Sequence, residues 1–309
     1  PNIEMHLRDE TGSNSLVGFT WDTKTCDSSG LPTGSASTGL SSTMRALFQG
    51  TTVTGGLSQY PYMTDGSNST TDQRSAAVGA NLVNYLRGQR GREGFAANTQ
   101  KLYRQRAHVL GDIVNSQPSY VKAPSQFYQD TGYGSFKETN KDRTPMVYVG
   151  ANDGMLHAFY APSKTSDTNY AKAGKEAWAF VPQAVMAKLY RLADTNYTDR
   201  HQFFVDGTPV AGDAYVGGTW KTMLVGGLGG GGAGYYALDI TNPTAPKAMW
   251  EFNFSNACPS PVAGATADCN VGLTFGRPVI TKLRNGQWVV LVTSGYNNVN
   301  GGGTGEGFL

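Results

Sequence analysis

The stretch MVYVGANDG at residues 146–154 has the pattern of an apolar β-strand that ends in a tight turn. Asp153 followed by Gly154 is the pair that a type I′ hairpin turn prefers. A second strand, LHAFY, follows at 156–160, and a tryptophan-bearing strand, AWAFV, lies at 177–181. Short apolar strands separated by turn residues predict an antiparallel sheet in this part of the chain.

The same plan recurs twice further along the chain. The second copy contains TMLVGG (222–227), YYALD (235–239) and MWEF (249–252), and the third contains WVVLVTSG (288–295) and GFL (307–309). A four-stranded sheet repeated along the chain predicts an all-β protein with a β-propeller fold. Three such sheets fall short of the roughly four to eight blades that close a ring, so we expect only the first blades of a propeller here.

Composition divides the chain into three parts. Residues 1–71 are rich in Ser, Thr and Gly and form a loop-rich lead-in segment. Residues 72–106 have the pattern of a helical and linker segment, and residues 107–309 form the N-terminal portion of the β-propeller domain.

Short helices interrupt the strands. Asp72 is a suitable N-cap for a helix that ends at Arg87 and Gly88, because a cation in the last turn followed by glycine is a typical stop. A second helix is predicted over 184–193, and a short strand over 203–205.

The charge balance bears on the class of partner. Charged residues make up 16% of the 309 residues, and 25 basic against 23 acidic side chains give a net charge of +2. A nucleic-acid surface needs clustered positive charge, so no nucleic acid binding is expected. Five arginines between residues 87 and 106 leave a solvated loop with salt bridges and an anion site as open interpretations. The apolar stretch at 288–292 is far shorter than the ~20 residues of a spanning helix, so no transmembrane segment is predicted.

Three cysteines are present, and two of them bracket a loop rich in Pro, Gly and Ala. We expect a disulfide between Cys258 and Cys269, which would place the protein in an oxidising compartment. The alternative is a pair of unbonded core thiols. Cys26 has no local partner in the sequence.

One loop carries oxygen ligands at alternate positions and is a candidate for calcium. Asp194, Asn196 and Asp199 have this spacing, but an EF-hand loop needs Gly at its sixth position and Glu at its twelfth. Asp199 and Val205 stand at those positions, so a capped helix end followed by a turn fits the residues better.

Catalytic motifs are missing from the sequence. It contains no HExxH and no Gly-x-Ser-x-Gly, and the glycine-rich run at 226–234 lacks the Lys-Ser/Thr of a phosphate-binding loop. We therefore assign no catalytic and no cofactor-binding residues, and we expect a protein that is not an enzyme.

Several strings in a fixed order carry a resemblance to a known family. LVNYLRG (82–88), LGDIVNSQP (110–118) and VYVGANDGMLHAF (147–159) resemble the C-terminal region of PilC/PilY-type type IV pilus proteins, and WAFVP (178–182), DGTP (206–209) and FGRP (275–278) fit as well. The resemblance covers roughly residues 80–309.

The resemblance implies a modified propeller of the quinoprotein-dehydrogenase type, with seven blades in the full protein. It also implies export through the periplasm to the pilus tip or outer-membrane surface. The implied roles are pilus assembly, surface adhesion and twitching motility, with minor pilins and a host or abiotic surface as partners. Many family members hold calcium in an Asp-rich loop of a later blade, which this sequence lacks, so calcium is an expectation for the full-length protein only.

Two alternatives from other functional classes remain open. A quinone-dependent dehydrogenase would use the same propeller, but the adjacent cysteines that clamp the quinone in such enzymes are missing. A carbohydrate-binding propeller would use exposed aromatic side chains as sugar platforms, and the sequence does not show which side chains are exposed.

Overall fold

The computed structural model describes residues 4–8, 16–21, 24–26, 32–36, 39–65, 72–253, 270–301 and 305–309. The strands are β1 Glu4–Arg8, β2 Leu16–Gly18, β3 Lys24–Cys26, β4 Pro32–Ala36, β5 Ser119–Val121, β6 Met146–Ala151, β7 Met155–Tyr160, β8 Glu176–Phe180, β9 Val210–Val216, β10 Thr219–Gly227, β11 Gly234–Asp239, β12 Lys247–Asn253, β13 Val279–Lys282 and β14 Trp288–Leu291. The α-helices are α1 Ser42–Ala46, α2 Gly50–Gly56, α3 Gln73–Ala76, α4 Ala80–Leu86, α5 Tyr133–Thr139 and α6 Gln183–Met186. Short 3-10 helices lie at Tyr60–Tyr62, Tyr170–Lys172, Leu189–Ala193, Tyr197–Arg200, Gly229–Gly231 and Asn298–Gly301.

The repeated sequence plan forms repeated antiparallel sheets. Strands β5 to β8 form a meander in chain order, and β9 to β12 form a second one. Strands β13 and β14 begin a third sheet in the same order. The first strands of these sheets are neighbours, since β9 contacts both β5 and β13. Sheets that fan out from adjacent first strands are the arrangement of propeller blades, so the predicted all-β propeller class is confirmed.

The lead-in segment contributes to the first sheet. β1 pairs in parallel with β8, and β2 pairs antiparallel with β1, so the first sheet has six strands. Met5 and Leu7 of β1 are buried there. The predicted division of the chain at 71/72 and 106/107 stays a prediction, but it gave no sign of this pairing.

Two predicted helices differ from the structure. Asp72 does cap a helix, accepting a hydrogen bond from the Ser75 backbone N–H at 3.1 Å. The helix is nevertheless split into α3 and α4, because Gly79 has a φ of +67° between them. The helix predicted over 184–193 is only α6, followed by the 3-10 turn Leu189–Ala193.

The predicted strand at 203–205 is also wrong. This segment is irregular, although Phe204 and Val205 are fully buried. Lys188 lies beneath it and donates to the Phe203 carbonyl at 3.0 Å, a tertiary contact that no local pattern reveals.

Large side chains fill the space between the first and second sheets. The rings of Tyr148 and Trp178 lie 5.7 Å apart, and those of Phe180 and Tyr236 lie 5.5 Å apart. Trp178 is 1% exposed, and its Nε1 donates to the Pro243 carbonyl at 2.8 Å. Each such ring buries roughly 150–250 Å², so this layer supplies a large apolar contact between the two sheets.

Candidate interaction surface

The junction between the first two sheets is formed by the segment at 110–118, one of the strings that carry the family resemblance. The Gly111 N–H donates to Asp153 Oδ2 at 2.8 Å, and Asn152 Nδ2 donates to Asp112 Oδ2 at 2.8 Å. Further along, the Gly150 N–H donates to Ser116 Oγ at 2.9 Å. These bonds fix the segment across the turn between β6 and β7, so its polar residues have a structural role.

The same segment reaches the second sheet through Asn115 and Asp206. Asp206 is 1% exposed. Both of its carboxylate oxygens accept from Asn115, one from the backbone N–H at 3.1 Å and one from Nδ2 at 2.6 Å. The Gln117 N–H donates to Thr208 Oγ1 at 3.0 Å, which extends the contact by two residues.

A buried histidine holds the turn from the other side. His157 Nδ1 lies 2.6 Å from Glu176 Oε1, and Nε2 lies 3.0 Å from Asp153 Oδ1. Burial lowers the pKa of His157, but the Asp153 charge and the hydrogen bonds to both carboxylates outweigh burial and raise the pKa to about 10. His157 is therefore a charged, packed histidine at neutral pH, and both ring nitrogens are occupied by protein carboxylates.

The calcium candidate residues lie in a turn in which the Asp194 carboxylate accepts hydrogen bonds from the protein itself. Asp194 is 4% exposed, and its Oδ1 accepts from the Ser58 N–H at 3.2 Å and the Asn196 N–H at 3.0 Å, as well as from Ser58 Oγ. Asn196 and Asp199 are exposed at the adjoining 3-10 turn. Within the described ranges, no group of three or more His, Cys, Asp or Glu side chains could hold a metal ion. Asp194 thus accepts the hydrogen bonds expected of a capped turn.

The predicted disulfide cannot be compared with the structure, because Cys258 and Cys269 lie outside the described residues. Their pairing stays a prediction.

The glycine-rich run at 226–234 is packed against backbone. A Cβ added to Gly231 would lie 1.7 Å from the Phe204 carbonyl oxygen. The Lys188 ammonium donates to the carbonyls of Phe203 and Gly231, and burial lowers the pKa of Lys188 to about 8. The run therefore serves close backbone packing.

The arginines between residues 87 and 106 also bind internal partners. Arg106 Nη2 lies 2.7 Å from Glu93 Oε1, and both residues are buried. Arg90 Nε lies 3.4 Å from Glu93 Oε2, and Arg104 Nε donates to the Leu192 carbonyl at 3.1 Å. These contacts favour internal salt bridges over an anion site.

The long connection between β5 and β6 forms a loop surface over the sheets. It contains α5 and lies across the second and third sheets through aromatic contacts. The Tyr128 ring lies 5.8 Å from Trp220 and 5.0 Å from Trp288, and Trp220 Nε1 donates to the Thr131 carbonyl at 3.0 Å. Tyr133 Oη donates to Asp213 Oδ2 at 2.7 Å. These rings join the sheets, whereas Phe127 on the same loop is 88% exposed.

A cleft of about 640 Å³ opens beside this loop, and we call it the basic cleft. It lies between the β5–β6 connection and the β7–β8 connection. Its wall carries four cationic side chains, namely Lys122, Lys141, Arg143 and Lys164, and two carboxylates, Asp142 and Asp167. Tyr120, 53% exposed on the edge strand β5, completes an aromatic side. A neighbouring groove of about 440 Å³ around Phe127 shares Ala123 and Lys141 with it.

No helix in the described part of the chain has the length and apolar character needed to cross a membrane.

Comparison with known proteins agrees with the repeat geometry. The family described as the PilY1 beta-propeller domain matches residues 110–308. The type IV pilus biogenesis factor PilY1 of Pseudomonas aeruginosa strain UCBPP-PA14 is 40% identical over 242 residues, covering 75% of this chain and 18% of the relative. A PilY1 homolog from Xylella fastidiosa strain Temecula1 is 40% identical over 233 residues, covering 72% and 17%. The crystal structure of the P. aeruginosa PilY1 C-terminal domain has 33% sequence identity and a TM-score of 0.41, covering 59% of this chain and 32% of that one.

The fanned sheets and the family match define the chain as part of a β-propeller. The chain belongs to the PilY1 β-propeller family. It spans less than a fifth of the length of the curated relatives named above.

Proposed function

We propose that this chain contains the first blades of the propeller of a non-enzymatic, pilus-associated protein that supports pilus assembly, surface adhesion and twitching motility. The observation that carries the proposal is membership in the PilY1 family, whose relatives are named type IV pilus biogenesis factors. Minor pilins and a host or abiotic surface are the proposed partners. The proposed location is the pilus tip or the outer-membrane surface.

The non-enzymatic assignment has support in the use of the buried ionisable groups. His157, Asp206 and Glu93 each bind side-chain or backbone partners that hold the sheets or the helical segment together. The exposed loops lie on a rigid sheet scaffold, which is a common arrangement for recognition surfaces. Calcium binding in the full-length protein remains a proposal, and we assign none of these residues as a calcium ligand.

A genetic experiment tests the role. Deleting the gene in the native host should lower the number of surface pili and the twitching zone, and the wild-type gene should restore both. Normal piliation and twitching in the deletion strain would contradict the proposal. A quinone-dependent dye-reduction assay on the purified protein tests the dehydrogenase alternative, and we expect no activity above the buffer rate.

A further inference from the structure

The basic cleft carries more cationic than anionic side chains, with four against two. Several of its charged groups already bind protein partners. Asp167 Oδ1 accepts from Thr144 Oγ1 at 3.0 Å and from the Asn169 N–H at 2.8 Å. Lys141 pairs with Glu138.

The Arg143 guanidinium also has hydrogen-bond partners within the protein. Its Nε donates to the Lys122 carbonyl at 2.9 Å, and its Nη1 donates to Thr222 Oγ1 at 2.6 Å. The guanidinium therefore joins the cleft wall to the second sheet and is held in place by both contacts.

Two ammonium groups and one carboxylate remain. Asp142 is exposed, and within the described residues no hydrogen bond engages its carboxylate, so the four cations of the wall face two carboxylates in all. Lys122 and Lys164 are exposed, and within the described residues no hydrogen bond or ion pair engages either Nζ. The whole chain has a net charge of only +2, so this local excess of cations is not a consequence of a generally basic surface. An anionic ligand would complement the positive charge of this wall.

The other lining groups narrow the class of ligand. Tyr120 offers an aromatic ring beside the lysines, and Ser163 and Ser166 offer hydroxyl groups. An aromatic face packs on the C–H face of a sugar, while serine hydroxyls can exchange hydrogen bonds with sugar hydroxyls. The volume of 640 Å³ falls within the ~300–1,000 Å³ typical of small-ligand clefts and exceeds what a lone phosphate would fill.

We propose that the basic cleft binds a short segment of an acidic polysaccharide, with Lys122 and Lys164 pairing with its carboxylate or sulfate groups and Tyr120 packing on a sugar ring. This inference deepens the proposed adhesive function and rests on it for its biological setting. The binding assay uses the purified chain, so it can fail while the pilus role holds, and it can succeed while the pilus role fails.

Isothermal titration calorimetry is the test. The probes are a galacturonate tetrasaccharide, a heparin-derived tetrasaccharide, neutral maltotetraose and a Glu octapeptide. We expect binding to at least one acidic tetrasaccharide, and at least tenfold weaker binding of maltotetraose and of the peptide. Since surface ion pairs are screened by salt, raising the ionic strength should weaken the binding.

Matched variants separate the cleft from general charge. Lys122→Gln with Lys164→Gln should weaken binding by about tenfold, because each exposed pair contributes modestly. Lys101→Gln with Lys247→Gln removes the same charge from exposed lysines that do not line the cleft, and should leave the affinity unchanged. Tyr120→Leu should weaken binding several-fold at constant net charge. All variants are checked for an unchanged melting temperature.

Three results would overturn the proposal. One is no binding of either acidic tetrasaccharide. Another is equal loss of affinity in the two lysine pairs, which would indicate non-specific charge attraction. The third is equal or tighter binding of the Glu octapeptide, which would assign the cleft to an acidic protein segment.

Discussion

Asn115 and Asp206 form a two-point contact across the junction of the first and second sheets. The backbone N–H and the side-chain Nδ2 of Asn115 donate to the two carboxylate oxygens of Asp206, at 3.1 and 2.6 Å. Asn115 belongs to the segment before the first sheet, and Asp206 to the segment before the second. The contact therefore joins equivalent points of successive blades.

Asp206→Ala removes both acceptors and should destabilise the chain by about 2 kcal/mol, because hydrogen bonds to a charged group are among the stronger ones. Urea unfolding measures the change. Asp199→Ala is the matched control, since Asp199 is exposed, and it should stay within about 0.5 kcal/mol of the unmodified chain. Equal stability of the two variants would show that the contact does not hold the sheets.

Gly231→Ala should destabilise the chain by about 3 kcal/mol, since overpacked positions force backbone shifts. The added Cβ would lie 1.7 Å from the Phe204 carbonyl oxygen. Gly91→Ala is the control, because a Cβ added there would meet no described atom within 4 Å and the residue is exposed. Thermal unfolding measures the stability of both variants, so that the two changes can be compared. A tolerated Gly231→Ala would contradict the close packing of the glycine-rich run.

Alkaline pH should weaken the fold through His157. Its pKa is raised from 6.5 to about 10 in the folded chain. The stabilisation is therefore fully present below about pH 6.5 and is lost as pH rises toward 10. The free energy of unfolding, measured near pH 6.5 and near pH 9.5, should fall more in the unmodified chain than in His157→Gln.

His108→Gln serves as the control for that titration, because His108 is an exposed histidine. This variant should keep the pH dependence of the unmodified chain. An unchanged pH dependence in His157→Gln would show that the buried pair with Asp153 and Glu176 does not set it.

Cys258 and Cys269 should resist alkylation in protein exported to an oxidising compartment and denatured without reductant. One label, on Cys26, is the expected mass shift, and reduction should raise it to three labels. Closing a loop of this length stabilises a fold by roughly 3 kcal/mol, so reduction should also lower the melting temperature. Three labels before reduction would contradict the disulfide.

Local patterns predicted the strands of the blades well, because each strand pairs with its neighbour in sequence. The strings at 146–150 and 156–160 became β6 and β7 with small changes at their ends. The pairing of β1 with β8 could not be predicted, since it joins residues as distant in sequence as Glu4 and Trp178 through a strand of five residues. The propeller class follows from repetition, whereas this addition depends on tertiary contact.

The candidate surface was less accessible to prediction. Asp153 and Gly154 signalled a turn, but nothing local showed that Asp153 would pair with His157 across it. The basic cleft combines β5, its long connection and the β7–β8 connection, so its lysines are scattered in sequence. The type of an aromatic residue does not show whether its side chain is exposed. Trp178 and Trp220 are buried, whereas Tyr120 is exposed beside the cleft.

Immunogold electron microscopy shows whether the protein lies on the pilus. Antibodies raised against this chain are applied to pili sheared from the native host, with pre-immune serum on the same pili as the control. We expect label at filament tips with the immune serum and none with the pre-immune serum. Secreted protein that leaves the pili unlabelled would contradict a pilus-associated role.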